Sequence, residues 1–380
     1  MLFRARILLC LFCFTLFAGQ VSANDIAGPE LQCPSAILME HSTGKILYEK
    51  NSHERLPLAS ITKVMTMLLT MEEIDAGNLT YDTIVTGSAH AKSLGGSTIF
   101  LDEGEQLSVH DLLKGVAVNS GNDAAVALGE HIAGSEEGFV ARMNERAAQL
   151  GMVDTHFMNC HGLDTDNHYS TAYDIALMSR ELLNHPDIHN FTTIWMDTLR
   201  NGQFTLSNTN KLIRFYQGAT GLKTGSTTKA KFCISATAKR DNMHLISVTM
   251  ASPSGEARVS DASTLLNHGF ANYALKSITA PGENVGEVLV SKGTKPSVAI
   301  IAEQPFDYLT GKNDKTEVER RLVMDDKVKA PILAGSVAGR AEYYVNGEKI
   351  GEGNLLFAED VARLTFWQSL CKFFTRWLGN

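Results

Sequence analysis

A chain of 380 residues, 44% hydrophobic and 20% charged, holds enough apolar material for a sizeable core and for two or three domains. These proportions exclude a disordered, collagen-like or multi-span membrane protein. With 34 basic against 42 acidic residues the net charge is −8, and no lysine–arginine cluster offsets it, so nucleic acid is not an expected partner.

The first 23 residues read as a secretory signal. Arg4 and Arg6 precede an apolar run from Ile7 to Phe17, and Val21-Ser22-Ala23 supplies a small-residue cleavage site. The apolar run is short for a membrane span. Export is therefore expected, with cleavage after Ala23. Of six cysteines, Cys33, Cys160, Cys233 and Cys371 remain in the mature chain, at spacings that write neither a zinc site nor a disulfide framework. Lone buried thiols are the expectation.

In chain order, residues 33–50 read as a hairpin turning at Ser42-Thr43-Gly44. After Pro57, the run from Ser60 to about Asp75 is apolar nearly all round, the pattern of a helix in the middle of a domain. Residues 108–150 are helical in spacing, and a third helical stretch covers 171–184, capped by Ser170 or Thr171. Phe232–Ala238 and His244–Met250 read as paired strands, followed by a closing helix over 261–275. Strands at both ends with helices between them predict one α+β domain spanning 24–275. Residues 276–357 carry short alternating runs, and Asn346-Gly347 is a strong hairpin signal, so a small all-β domain is expected there.

The tail, 358–380, differs from both. Leu364, Trp367, Leu370, Cys371, Phe374, Trp377 and Leu378 share one helical face, with Arg363, Lys372 and Arg376 mainly off it. Aromatic and aliphatic residues on one face with cations beside it suit a peripheral helix lying in a bilayer interface.

Three short phrases can carry chemistry. Ser60-Ile61-Thr62-Lys63 is a Ser-x-x-Lys whose i, i+3 spacing places hydroxyl and amine on one helical face. Ser42…Lys45 and Ser369…Lys372 match the same string, but only Ser60 heads a buried helix, whose N-terminus favours developing negative charge. Ser120-Gly121-Asn122 reads alone as a turn, and Lys223-Thr224-Gly225-Ser226 alone as the polar end of an edge strand. In this order they are the set shared by penicillin-binding proteins and serine β-lactamases.

The sequence resembles the low-molecular-mass penicillin-binding proteins of the D-alanyl-D-alanine carboxypeptidase group. Matching phrases are Thr43-Gly44 with Leu47-Tyr48, Leu58 to Lys63, Gly95-Gly96-Ser97, Asn119 to Asn122, His161-Gly162-Leu163 and Lys223-Thr224-Gly225. The resemblance runs from about residue 33 to the C-terminus. It implies a DD-peptidase fold of antiparallel sheet and helices, then the β domain and the amphipathic helix. It also implies a serine carboxypeptidase that removes the terminal D-Ala of peptidoglycan stem peptides and is inhibited by β-lactams.

Ser60 would be the nucleophile, Lys63 the general base and Ser120 a proton relay. Asn122, Lys223, Thr224, Ser226 and Arg258 would bind substrate, and the N–H groups of Ser60 and Ser226 would form the oxyanion hole. The Lys223 cation is expected to pull the pKa of Lys63 down. No cofactor is implied, and the twelve histidines form no evident metal motif. Two departures stand out: Cys160 occupies a position where proline is expected, and Ser226 stands where some members carry histidine.

Three alternatives compete. A class A-type β-lactamase needs a Glu-x-x-Leu-Asn phrase, and Glu181-Leu182-Leu183-Asn184 falls one residue short. A DD-endopeptidase would share the site but usually lacks the β domain. A non-catalytic wall-binding scaffold would be favoured by an altered Ser, Lys or Ser-Gly-Asn, and all are intact.

Overall fold

The computed structural model describes residues 28–377. The expected signal segment lies outside them. The N-terminal half is built on a five-stranded antiparallel sheet in the order Ile46–Lys50, Ser35–Glu40, Met243–Ser252, Lys231–Arg240, Ala219–Thr227. The strand pairs expected from sequence form here, joined across the chain by the pairing of Ser35–Glu40 with Met243–Ser252.

Both faces of this sheet are covered. Ile37, Met39, Ile246, Val248 and Met250 face a large helical core. Ala36, Leu38, Ile234, Ala236, Ala238 and Leu245 pack on Leu265, Leu266 and Phe270 of the helix Gly255–Asn272. Double coverage is why Ser35–Glu40 is buried at every residue. A strand buried on both sides has no need of polar alternation.

At the centre of the helical layer lies Lys63–Asp75, whose first nine residues are all buried, as its apolar circumference requires. It begins later than the sequence suggests: Ala59–Thr62 is a separate 3-10 turn, with Ala59 at φ +48°. Likewise 108–150 is three helices, Val109–Ala117, Asn122–Ala133 and Glu136–Gln149. Ser120 at φ +62° breaks the first from the second, and Gly134 at φ +81° followed by the Ser135 cap breaks the second from the third. Thr171 caps Ala172–Leu182, its hydroxyl accepting from Asp174 N at 3.0 Å. The closing helix starts at Gly255, capped by Ser254, and ends at Asn272, so it leads the expected 261–275 by several residues. Tyr273–Thr279 then continues as a strand.

The C-terminal half is a six-stranded sheet in the order Glu319–Met324, Val337–Val345, Glu348–Phe357, Ser297–Ala302, Asn284–Ser291, Lys327–Lys329. Asn346 and Gly347, at φ +51° and +84°, make the two-residue turn that the sequence signals. Tyr273–Thr279 pairs separately with Phe306–Gly311, and Phe306 stacks on Tyr343 of the larger sheet at 3.7 Å between centroids. A helix follows at Phe366–Trp377, with Phe366, Trp367, Phe373 and Phe374 exposed. Among the described residues no helix is long and apolar enough to cross a membrane.

Candidate active site

Ser60 lies in the 3-10 turn immediately before the buried helix, and Lys63 is that helix's first residue. Ser60 is partly exposed whereas Lys63 is fully buried. Lys63 Nζ stands 3.1 Å from Ser60 Oγ, and donates to Asn122 Oδ1 and to the His161 carbonyl, both at 2.6 Å. Burial pulls the amine down to about 7 against an ordinary 10.5, with Cys160 and Asp123 opposing the shift. Near neutral pH a large fraction is free amine, able to take a proton from the adjacent hydroxyl.

Two glycines shape this corner. A Cβ on Gly162, at φ +91°, would collide with the Ala59 carbonyl and stand 2.9 Å from Ser60 N. A Cβ on Gly225 would stand 2.8 Å from Ser60 N and 3.0 Å from Leu58 O. The His-Gly loop and the Lys-Thr-Gly strand thus close on the Ser60 turn from two sides, and only a residue without a side chain permits either approach.

Ser120 is buried between the helices Val109–Ala117 and Asn122–Ala133. Asn122 spans two segments: its Oδ1 accepts from Lys63, and its Nδ2 donates to Gly95 O at 2.7 Å. The next residue, Asp123, was not singled out by sequence. Its carboxylate accepts from Ile99 N (3.0 Å to each oxygen), Leu101 N (2.9 Å) and Ala124 N (2.8 Å), pinning the loop that follows Gly95-Gly96-Ser97.

Lys223, Thr224 and Ser226 lie on the edge strand Ala219–Thr227, whose other side is unpaired. Lys223 is buried and donates to Thr224 O at 3.0 Å, while Thr224 Oγ1 donates to Thr209 Oγ1 at 2.7 Å. Ser226 is exposed. Burial, then the charges of Lys63 and Arg258, hold Lys223 well below its ordinary value. Burial is thus the leading cause of the low value at both amines, and the repulsion between the two like charges adds to it. Arg258 lies against the same strand, its Nη1 donating to Gly225 O (3.2 Å) and Cys233 O (3.4 Å), with its guanidinium 5.8 Å from the Phe232 ring.

Cys33, Cys160 and Cys233 are buried free thiols, and Cys371 is exposed. Among the described residues no group of three or more histidine, cysteine or acidic side chains is placed to hold a metal. A hydroxyl beside a buried, readily deprotonated amine, open to an unpaired strand edge, is equipped for nucleophilic acyl transfer. That places the protein among serine–lysine acyl-transfer folds.

Comparison with known proteins gives the family. D-alanyl-D-alanine carboxypeptidases match residues 22–254, and the C-terminal domain of penicillin-binding protein 5 matches residues 273–363. The chain belongs to the D-alanyl-D-alanine carboxypeptidase family. It is 42% identical over 339 residues to the D-alanyl-D-alanine carboxypeptidase DacF of Bacillus subtilis, covering 88% of this chain and 87% of that one. Identity to DacD of Escherichia coli is 34% over 376 residues and 96% of each chain. Penicillin-binding protein 5 from Haemophilus influenzae superposes with a TM-score of 0.73 at 33% identity, over 89% of this chain and 100% of that one. Penicillin-binding protein D2 from Listeria monocytogenes, solved in its ampicillin-bound form, gives 0.59 at 32% identity over 64% of this chain and 100% of that one.

Proposed function

We propose that the protein is a serine carboxypeptidase that removes the terminal D-Ala from peptidoglycan stem peptides. Ser60 attacks the carbonyl of the penultimate D-Ala, and its proton passes to Lys63. The tetrahedral oxyanion is held by the N–H groups of Ser60 and Ser226, the residue that follows the closely packed Gly225. Ser120 relays that proton from Lys63 to the leaving amine, D-Ala departs as the C–N bond breaks, and water then hydrolyses the ester to release the shortened peptide and restore Ser60. The stem peptide lies along the open edge of Ala219–Thr227 as an added strand, with Asn122 orienting its amide. Lys223, Thr224 and Ser226 receive the terminal carboxylate, with Arg258 adding positive charge beneath them.

The observation that carries this reading is the 3.1 Å approach of a buried Lys63 to a partly exposed Ser60. The experiment is intact mass after exposure to benzylpenicillin, wild type beside Ser60→Ala. A stable one-penicillin adduct that vanishes in the variant supports the reading. Unmodified protein with penicillin consumed would indicate a β-lactamase, and a folded protein with neither would indicate a scaffold.

The same proposal places the protein outside the cytoplasmic membrane, at its outer face. The exposed aromatics of Phe366–Trp377 support peripheral attachment there.

A further inference from the structure

Glu136 lies outside every phrase of the active-site pattern, at the start of the helix Glu136–Gln149. Its carboxylate nonetheless reaches the back of the site. Oε1 accepts from Cys160 N at 3.1 Å and from Cys160 Sγ at 3.3 Å, and stands 3.4 Å from His161 Nε2. Oε2 is 2.7 Å from His90 Nε2. His161 Nδ1 accepts from Leu163 N at 3.2 Å, so a neutral ring carries its proton on Nε2, facing Glu136.

The opposite side of this short segment faces the buried helix. Cys160 O accepts from Thr66 Oγ1 and His161 O accepts from Lys63 Nζ, each at 2.6 Å. Residues 160 and 161 are thus gripped by Glu136 on one side and present both carbonyls to Lys63–Asp75 on the other. A proline at 160, the residue expected there, has no N–H to offer. The cysteine supplies one, and Glu136 accepts it.

We propose that Glu136 is a positioning residue which, through Cys160 and His161, fixes the carbonyl that holds Lys63 against Ser60. The inference rests on Lys63 being the base for Ser60. Burial pushes Glu136 up, but the hydrogen bonds from His90 and Cys160 outweigh it, so it sits below its usual value as an anion. Burial holds His161 down to about 4, neutral at working pH. The charged or titratable neighbours of Lys63 are Asp123, Cys160, His161 and Lys223; those of Glu136 are His90, Cys160 and His161, with Glu130 and Glu137 facing His90 in turn.

The test is the acylation rate with a fluorescent penicillin, from about pH 5.5 to 9.5, for wild type, Glu136→Ala and the isosteric Glu136→Gln, with thermal unfolding alongside. In Glu136→Ala the high-pH plateau should fall about tenfold or more. Its acid limb should move to lower pH by up to about one unit, because the Lys63 ammonium loses a fixed acceptor. Glu136→Gln, which keeps an acceptor for Cys160 N, should fall between; it carries the test if the alanine variant does not fold. A folded variant with the wild-type limb and plateau overturns the inference, as does a lower rate with an unmoved limb. A wild type that acylates without any acid limb overturns the assignment of Lys63 itself, and this inference with it.

Discussion

Gly162→Ala should disable the nucleophile without altering a polar side chain. At φ +91° an alanine pays about 1–2 kcal/mol for the left-handed backbone. Its Cβ would also collide with the Ala59 carbonyl and stand 2.9 Å from Ser60 N, backbone atoms that no rotamer change can move aside. Overpacking of this kind costs about 1–3 kcal/mol more, for a total of about 2–5 kcal/mol. The relief available is displacement of the Ala59–Ser60 turn, which carries Ser60 Oγ away from Lys63; an ångström there is worth about a hundredfold in rate. Gly134→Ala is the matched control, since Gly134 has φ +81° and nothing within 4 Å of its Cβ. It should lose about 1 kcal/mol and acylate normally. Urea unfolding and penicillin acylation on both variants decide the matter. Equal stability losses, with Gly162→Ala acylating within about twofold of wild type, would refute the clash argument.

Two further outcomes are expected. Acylation should rise with pH through about 7 as Lys63 loses its proton and then level off, and Lys63→Arg, which cannot deprotonate, should abolish it. The same amine titrates near 10.5 when unfolded, so the native state binds fewer protons between these values. Its contribution to stability is full above the unfolded value and is lost, by about 1.4 kcal/mol per pH unit, as pH falls towards 7. Urea unfolding at several pH values checks the slope, and a flat wild-type minus Lys63→Met difference would contradict it. For the tail, the mature chain should co-sediment with vesicles containing anionic lipid, and a chain ending at residue 357 should not; equal sedimentation would remove the case for an anchor.

The groups of the proposed site were legible as strings, because Ser60, Lys63, Ser120, Asn122 and Lys223 belong to phrases whose spacing is itself informative. Their electrostatics were not. How far desolvation lowers Lys63 depends on which helices cover it, and burial is a tertiary property. Asp123 and Glu136 escaped notice for a different reason: both stand in the first turn of a helix, where acids are common simply because they complement the helix dipole. In the fold, the two-residue turn at Asn346-Gly347 announced its hairpin. Lys327–Lys329 did not, since three residues pairing in parallel with distant Leu289–Ser291 leave no periodicity to read. The break at Ser120 was signalled by the turn chemistry of Ser120-Gly121-Asn122, although the apolar spacing runs on at both sides of it as if one helix continued.

The order Asn122-Asp123 has a chemical logic that follows from these contacts. Every hydrogen-bond partner of Lys63 Nζ is neutral: a hydroxyl, an amide oxygen and a backbone carbonyl. The nearby carboxylate of Asp123 is occupied by three backbone N–H groups, Ala124 of its own helix and Ile99 (shared between both oxygens) and Leu101 of the loop. Were the acid at 122 and the amide at 123, a carboxylate would sit 2.6 Å from the amine, and an opposite charge at that distance stabilises the ammonium by one to three pKa units or about 1.4–4 kcal/mol. The base would then stay protonated where it must act. Placing the negative charge one residue on lets Asp123 anchor the loop while burial, uncompensated by an ion pair, keeps Lys63 reactive. The cost is a buried amine with no counterion beside a second buried amine, and that instability is the source of the basicity match that the proposed acyl transfer at Ser60 requires.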